Sequence, residues 1–319
     1  MILTVTPNPS LDRTLHIERF VRGDVVRASG TALDPSGKGV NVSLALAANG
    51  IGTRAVLPAG GFVGDHLVAL LRATGLDFVV VPVAGDVRSN TSVVERDGTV
   101  TKLNEPGPRL AAAEVERLLD AVRLGSRSVT CVVGCGSLPE GVPADLYARI
   151  VLLARESGAS SVLDSSGEAL VAGLAAGPDL VKPNVAELAA ATGLPVGSLA
   201  QAMAAARAMQ HSGANAVLVS LGPDGALLVG RDVALHGEAD VPVVRNTVGA
   251  GDAMLAGFLA GGGSRPDDEP AKALAEALAW GAAACGIPDS RMPGPADIDR
   301  SLVTIHPELT DRPLSHPAG

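Results

Sequence analysis

Ser128-Val129-Thr130-Cys131-Val132-Val133, followed by the Ala/Leu-rich helical stretch Ala144–Ser157 and then by Ser161-Val162-Leu163-Asp164, decides the fold of this chain. A short apolar run, a helix pattern and a second apolar run form a βαβ rhythm. The rhythm spreads outward in both directions. Ile2–Thr6, Arg54–Leu57, Phe78–Val81, Leu180–Lys182 and Ala216–Ser220 read as further strands, and Ala111–Leu124 and Leu199–Ser212 as further helices. Apolar strands alternating with helices predict an α/β fold with a mainly parallel sheet covered on both faces, and place ligands at the carboxyl ends of the strands.

Two stretches break the alternation. Thr14–Leu33 and Thr91–Leu103 alternate polar with apolar residues and carry turn signals such as Arg96-Asp97-Gly98, so each reads as a β-hairpin. They can pair as a small second sheet serving as a lid or dimer contact, or remain plain surface hairpins. Gly261–Pro270 reads as a surface loop, and the tail after Leu302, with Pro307, Pro313 and Pro317, as an extended appendage.

Composition narrows the function. The chain has 319 residues, 47% of them hydrophobic, enough for a large core. Aromatic residues make up 2% and the formal net charge is −9, which argues against stacking platforms for nucleic-acid bases and against any long polyanion. Cys131, Cys135 and Cys285 lack C-x-x-C spacing and read as buried thiols of a reducing compartment, with metal binding as the second choice. Met1–Pro7 carries no signal-peptide pattern, and no uncharged apolar run approaches the roughly 20 residues of a membrane helix. These features predict a cytoplasmic protein with no membrane partner.

The chemistry concentrates in Asn246-Thr247-Val248-Gly249-Ala250-Gly251-Asp252. Met254, Leu255, Phe258 and Leu259 share a helical face, so a helix starts near Ala250 and its free amides gather around Gly249–Asp252. Small residues at a helix start admit a phosphate, and the neighbouring carboxylate can accept a proton from a hydroxyl. The alternative is a tight turn with Asp252 as an electrostatic cap.

A second loop, Asp34-Pro35-Ser36-Gly37-Lys38-Gly39-Val40-Asn41-Val42-Ser43, also opens onto a helix. It is not a Walker A loop: Ala32 and Gly39 stand where that motif needs glycine and Ser or Thr. An anion- or sugar-binding loop remains, with Lys38 as a point charge and Asn41 as a two-way hydrogen-bonding group, or else a flexible loop with an exposed lysine.

Together the two loops resemble the signature regions of the ribokinase-like carbohydrate kinases, in particular the phosphofructokinase B branch. Thr6-Pro7-Asn8-Pro9-Ser10-Leu11-Asp12, Gly136-Ser137-Leu138-Pro139, Lys182-Pro183-Asn184 with Glu187, and Ser220-Leu221-Gly222-Pro223-Asp224-Gly225 follow in family order. Ser36, in place of the first glycine of the usual Gly-Gly-Lys-Gly, and Cys135 depart from the pattern.

The resemblance implies a three-layer α/β/α kinase domain over residues 1–302, with lid hairpins at about 14–33 and 88–105 and a tail at 303–319. It implies an ATP-dependent phosphosugar kinase using Mg2+, with a monovalent cation as a further candidate, that dimerises through the lid. Asp252 is similar to the family's base, and the amides of Gly249, Ala250 and Gly251 to its anion hole. A loose phosphoryl-transfer transition state lets the hydroxyl proton leave late, so an aspartate suffices.

Asp12, Gly37, Lys38, Asn41 and Ser137 would line the sugar pocket. Arg88 would clamp the phosphate already on the substrate, with Arg27 and Lys102 as helpers or plain surface residues. Lys182, Asn184, Ser220, Gly222, Gly225 and Thr247 would line the nucleotide. Glu187 and Asp164 would serve the Mg2+ region, although Asn184 and Glu187 are also spaced as a capping box.

Lys102-Leu103-Asn104-Glu105-Pro106-Gly107-Pro108 resembles the corresponding stretch of 1-phosphofructokinases, with fructose 1-phosphate as substrate. Tagatose-6-phosphate kinases and minor-type 6-phosphofructokinases are the neighbouring alternatives. A non-catalytic sugar-phosphate sensor is the remote one.

Overall fold

The computed structural model describes residues 1–264, 269–287, 291–306 and 308–318. The N-terminal half holds β1 (Ile2–Val5), β2 (Ser10–Ile17), β3 (Gly30–Ser36), α1 (Lys38–Ala48), β4 (Thr53–Ala59), α2 (Gly61–Thr74), β5 (Phe78–Pro82), β6 (Arg88–Glu95), β7 (Val100–Leu103) and α3 (Ala112–Ser126). The middle continues with β8 (Cys131–Cys135), α4 (Leu146–Glu156), β9 (Ser160–Asp164), α5 (Gly167–Leu174), β10 (Leu180–Val181), α6 (Val185–Thr192), β11 (Val196–Ser198) and α7 (Leu199–His211). The last part adds β12 (Ala216–Ser220), β13 (Ala226–Val229), β14 (Ala234–Ala239), α8 (Ala250–Ala260), α9 (Pro270–Gly286), β15 (Val303–His306) and β16 (Pro313–Ala318).

Ten strands form one sheet in the order β15-β14-β13-β12-β10-β9-β8-β1-β4-β5. From β12 through β5 every neighbouring pair is parallel. The order runs one way from β1 through β4 to β5 and the other way from β8 through β12, so the strand order reverses between β1 and β8. A crevice opens at the carboxyl ends of the strands beside such a reversal. Helices cover both faces. Leu118, Tyr147, Ile150 and Leu188 belong to one buried cluster, while Leu46, Leu255, Phe258 and Trp280 belong to another.

The fold-deciding run holds with a shifted start. β8 begins at Cys131 and not at Ser128, and it continues through Gly134 to Cys135. Gly134, a poor strand former alone, belongs there because a Cβ would meet the Tyr147 ring at 2.7 Å.

The two polar stretches do form one separate four-stranded sheet, ordered β3-β2-β6-β7. Its hairpin arms reach further toward the core than the sequence boundary of Thr14, so Asp12 lies within β2. β2 and β6 run parallel, which places Asp12 opposite Asn90 and Ser10 opposite Arg88.

The reading of residues 303–319 as a separate extended tail needs correction. β15 extends the main sheet beside β14, and β16 pairs antiparallel with β11. Extended chain with few apolar residues satisfies its backbone groups by joining a sheet edge, a contribution that hydrophobic patterning does not reveal. Residues 265–268 of the Gly261–Pro270 loop, and Pro307, lie outside the described residues. No helix among those described is long and apolar enough to cross a membrane.

Candidate active site

Gly249 ends the loop into α8 with a φ of 78°, the left-handed region open to glycine, and a Cβ there would meet Met292 at 2.6 Å. Asp252 follows in the first helical turn. It is 8% exposed, and Asn41 Nδ2 of α1 donates to its Oδ2 at 2.8 Å. Burial pushes the Asp252 carboxyl up to about 6, helped by the charge of Asp164 and opposed by Asn41, Lys182 and Lys38. Of the three amides expected to face an anion, that of Ala250 already donates to the Thr247 carbonyl at 3.3 Å.

Asp164, at the carboxyl end of β9, is fully buried between two ammonium groups. Lys38 Nζ stands 2.7 Å from Oδ1 and Lys182 Nζ 2.9 Å from Oδ2. Burial opposes the charge, but the two lysines outweigh it and hold the carboxyl below its ordinary range. Lys38 is held protonated in turn: burial disfavours its charge, and Asp164 and Glu187 more than compensate. The sequence reading set Lys38 among the sugar ligands. Its ammonium also joins the carboxylates at the head of β9 and α6, reaching Glu187 Oε1 at 3.4 Å.

Lys182, 4% exposed, also lies against the start of α8, its Nζ 3.5 Å from where a Gly251 Cβ would stand. An ammonium at the positive end of a helix dipole leaves this spot attractive to an anion.

Asn184 and Glu187 form the capping box: Asn184 Oδ1 accepts from the Glu187 amide at 2.8 Å, and Glu187 Oε2 from the Asn184 amide at 2.9 Å. Glu187 is thereby fixed with a carboxylate edge beside Lys38. Among the described residues no group of three or more His, Cys, Asp or Glu gathers as a metal cage. Mg2+ needs only one or two carboxylates besides waters and phosphates, and Glu187 fits that role better than the doubly paired Asp164.

Backbone constraints explain the first loop. Gly37 has a φ of 124° and stands so close to Thr6 that a Cβ would meet Cγ2 at 2.7 Å. A Cβ on Gly39 would meet Thr6 Oγ1 at 2.5 Å and Cys135 at 3.4 Å, so the loop threads between the ends of β1 and β8. Ser36 needs no glycine, because no non-glycine residue among those described has positive φ. Cys135 is a buried thiol pushed well above its ordinary range by desolvation, then by Asp164 and Asp252.

On the lid side, Asp12 Oδ1 accepts from Ser10 Oγ at 2.6 Å and from Asn90 Nδ2 at 2.9 Å. Arg88 donates through Nη1 to the Glu105 carbonyl at 3.2 Å and through Nη2 to the Asn8 carbonyl at 3.1 Å. Its Nε is buried without a hydrogen-bond partner, a donor left for an acceptor that the chain does not supply. Burial lowers the guanidinium's pKa, against Asp12 and Glu105. Asn8 Nδ2 reaches Ser137 Oγ at 3.2 Å, so Arg88, Asn8 and Ser137 form one chain of contacts.

Asn8 and Asn90 were not singled out from the sequence. Asn8 lies inside the quoted Thr6–Asp12 motif and Asn90 two residues after Arg88, and their polarity within strand-forming context was the available signal. Arg27 and Lys102 are exposed on the lid. A cavity of about 30 Å³, lined by Thr14, His16, Ser92, Arg245 and Asn246 among others, shows the lid sheet lying over the loop that leads to Asp252.

Ser220 closes β12 and bridges Asn184. Gly222 and Gly225 turn the chain with φ of 65° and 81°, and a Cβ on Gly225 would strike the Gly237 carbonyl. Thr247 is exposed in the loop before α8.

The family model described as pfkB family carbohydrate kinase matches residues 6–288. The chain is 40% identical over 304 residues to a 1-phosphofructokinase of Haloferax volcanii, covering 93% of this chain and 95% of that one. It is 38% identical over 263 residues to an ATP-dependent 6-phosphofructokinase isozyme 2 of Mycobacterium tuberculosis, covering 82% and 77%. A crystal structure of phosphofructokinase-2 from Escherichia coli in complex with potassium is similar at a TM-score of 0.85 and 33% identity, covering 93% and 96%.

Proposed function

Since the chain belongs to the pfkB family of carbohydrate kinases and is an ATP-dependent sugar kinase, we propose that it converts fructose 1-phosphate to fructose 1,6-bisphosphate with Asp252 as the base. The observation that carries this reading is one pairing. A buried aspartate with a raised pKa, steadied by Asn41, sits in the same helical turn that Lys182 faces with its ammonium.

In that arrangement Asp252 accepts the proton of the sugar hydroxyl as its oxygen bonds to the γ-phosphorus, and the bond from γ-phosphorus to the β-phosphate oxygen breaks to leave ADP. The amide of Gly251 and the ammonium groups of Lys182 and Lys38 face the charge that develops on the phosphoryl oxygens. Ser220, Gly222, Gly225 and Thr247 line the nucleotide. Glu187 would hold Mg2+, which would supply further neutralisation of phosphate charge.

The lid carries substrate recognition. Asp12, held by Ser10 and Asn90, accepts sugar hydroxyls, and Arg88 takes the existing phosphate. Gly37 and Asn41 close the pocket, with Ser137 at its edge. The potassium-bound Escherichia coli relative supports a monovalent cation here. Phe20, Val25 and Leu103 are 49%, 82% and 60% exposed on the lid, which supports dimerisation through that sheet. Sedimentation at micromolar concentration tests this: a fully active monomer contradicts it. The family's metabolic role supports a cytoplasmic location.

The deciding experiment is a coupled ADP-release assay over fructose 1-phosphate, fructose 6-phosphate, tagatose 6-phosphate and ribose. The highest kcat/KM is expected for fructose 1-phosphate, and ribose as the best substrate would overturn the phosphosugar reading. Similarity to the Mycobacterium tuberculosis enzyme makes fructose 6-phosphate the second reading.

A further inference from the structure

The turn Gly222–Gly225 is anchored from outside itself. Asp224, 6% exposed, accepts from the Ser315 amide at 2.7 Å through Oδ2 and from Ser315 Oγ at 3.0 Å through Oδ1. Arg312 Nη2 lies 3.9 Å from Asp224 Oδ1 and 3.5 Å from its carbonyl, and it also pairs with Glu238 of β14. The ring of His236, stacked on His306 of β15, contacts the same carbonyl through Nε2 at 2.8 Å. His316 completes the set: its Cδ2 is 4.0 Å from where a Gly222 Cβ would stand.

The segment that carries Arg312, Ser315 and His316 is itself fastened. β16 pairs with β11 and packs against α6, the helix that presents Asn184 and Glu187, while Leu314 is buried in the core. One stretch of chain thus touches both the glycine turn and the helix of the phosphate-side carboxylate.

Two physical consequences follow. The turn closes on its own backbone, with Asp224 N donating to the Leu221 carbonyl at 3.3 Å and Gly225 N to the Gly222 carbonyl at 3.1 Å, but its two glycines of positive φ leave it room to shift, and any ordering left to binding would weaken affinity. A carboxylate within that turn repels phosphates unless a cation stands beside it.

We propose that Arg312–His316 is a positioning element for the nucleotide, fixing the Gly222–Gly225 turn through Asp224 while Arg312 offsets that residue's charge. The proposal rests on the reading of this turn as part of the ATP site.

The test measures KM for ATP, KM for fructose 1-phosphate, kcat and melting temperature, with calorimetric affinity for a non-hydrolysable ATP analogue. Arg312→Ala should raise the ATP KM and weaken the analogue by about twofold to thirtyfold, the range for residues that act through others. The sugar-phosphate KM and kcat should stay unchanged, and Arg312→Lys should restore most of the loss. A chain ending at Thr310 should go further in the same direction.

Unchanged ATP affinity in both Arg312→Ala and the shortened chain, with a clear loss in Gly222→Val, overturns the proposal and leaves the ATP site standing. Silence of Gly222→Val as well would remove the turn from the nucleotide site and the proposal with it. A fall in kcat and both affinities together with the melting temperature would mark Arg312 as general structural support and also overturn it.

Discussion

The two sides of the site are built differently. On the deep side, Asp164, Lys182 and Asp252 project from strand ends and a helix start of the ten-stranded sheet, each less than a tenth exposed and locked by ion pairs or hydrogen bonds. On the lid side, Asp12, Arg88 and Asn90 stand on a four-stranded sheet with exposed apolar residues, and Arg88 keeps a buried donor unmatched. On the proposed reading, the difference teaches that one chain's core can preorganise phosphoryl-transfer chemistry while the lid side is completed by substrate. Preorganised charge acts without reorganisation at the moment of reaction, and unmatched donors give discrimination between ligands.

The sharpest way to break this comparison is Asp252→Asn. Removal of a general base costs about 10²–10⁴ in rate, so kcat should fall by that much while sugar-phosphate affinity persists. Near-normal turnover in the folded variant would take the chemistry away from the deep side. The same variant probes stability. The raised carboxyl pKa favours the protonated form in the folded state, a contribution present below the ordinary value of 3.8 and lost as pH rises through about 6. Asp252→Asn should therefore melt higher than the parent at pH 8 and show no such gain at pH 4.

Arg88→Ala tests the lid side. Loss of a charge-assisted hydrogen bond costs about 1.5–3 kcal/mol, which raises the sugar-phosphate KM roughly tenfold to a hundred-and-fifty-fold. The ATP KM should hold, and Arg88→Lys should rescue only in part because a point charge lacks the bidentate fork. Equal effects on both substrates would erase the division between the two sides.

The pH profile gives a smaller effect. With the base titrating at about 6, kcat/KM should drop about tenfold per unit below that pH and level off above it. An activity plateau extending unchanged to pH 4.5 would mean that the base is not this buried group. Smallest of all is Ser36→Gly, which should leave both KM values in place and cost about 0.5–1 kcal/mol in chemical denaturation through added backbone freedom. A large kinetic change would show that the serine side chain takes part in the lid-side pocket.

Much of the deep side was legible in the sequence because its parts are local. The Gly-Ala-Gly-Asp start of α8, the Asn184–Glu187 capping box and the strand end at Asp164 are each contained within a few consecutive residues, where periodicity and helix-end rules apply directly. Lys38 was legible as a charge but not by its partner: 126 residues separate it from Asp164. Asn8 and Asn90 escaped for the same reason, since their meaning lies in what faces them across the lid base.

By itself, then, the sequence determined the alternation of strands and helices, the two hairpins and the kinase loops, because side-chain pattern and backbone propensity act at short range. Only the tertiary structure decided that Lys38 joins Asp164 and Glu187, that Arg88 reaches Asn8 beside Ser137, and that Val303–His306 and Pro313–Ala318 add strands to two sheets. Those outcomes depend on burial and on backbone pairing between distant segments, which no local pattern encodes.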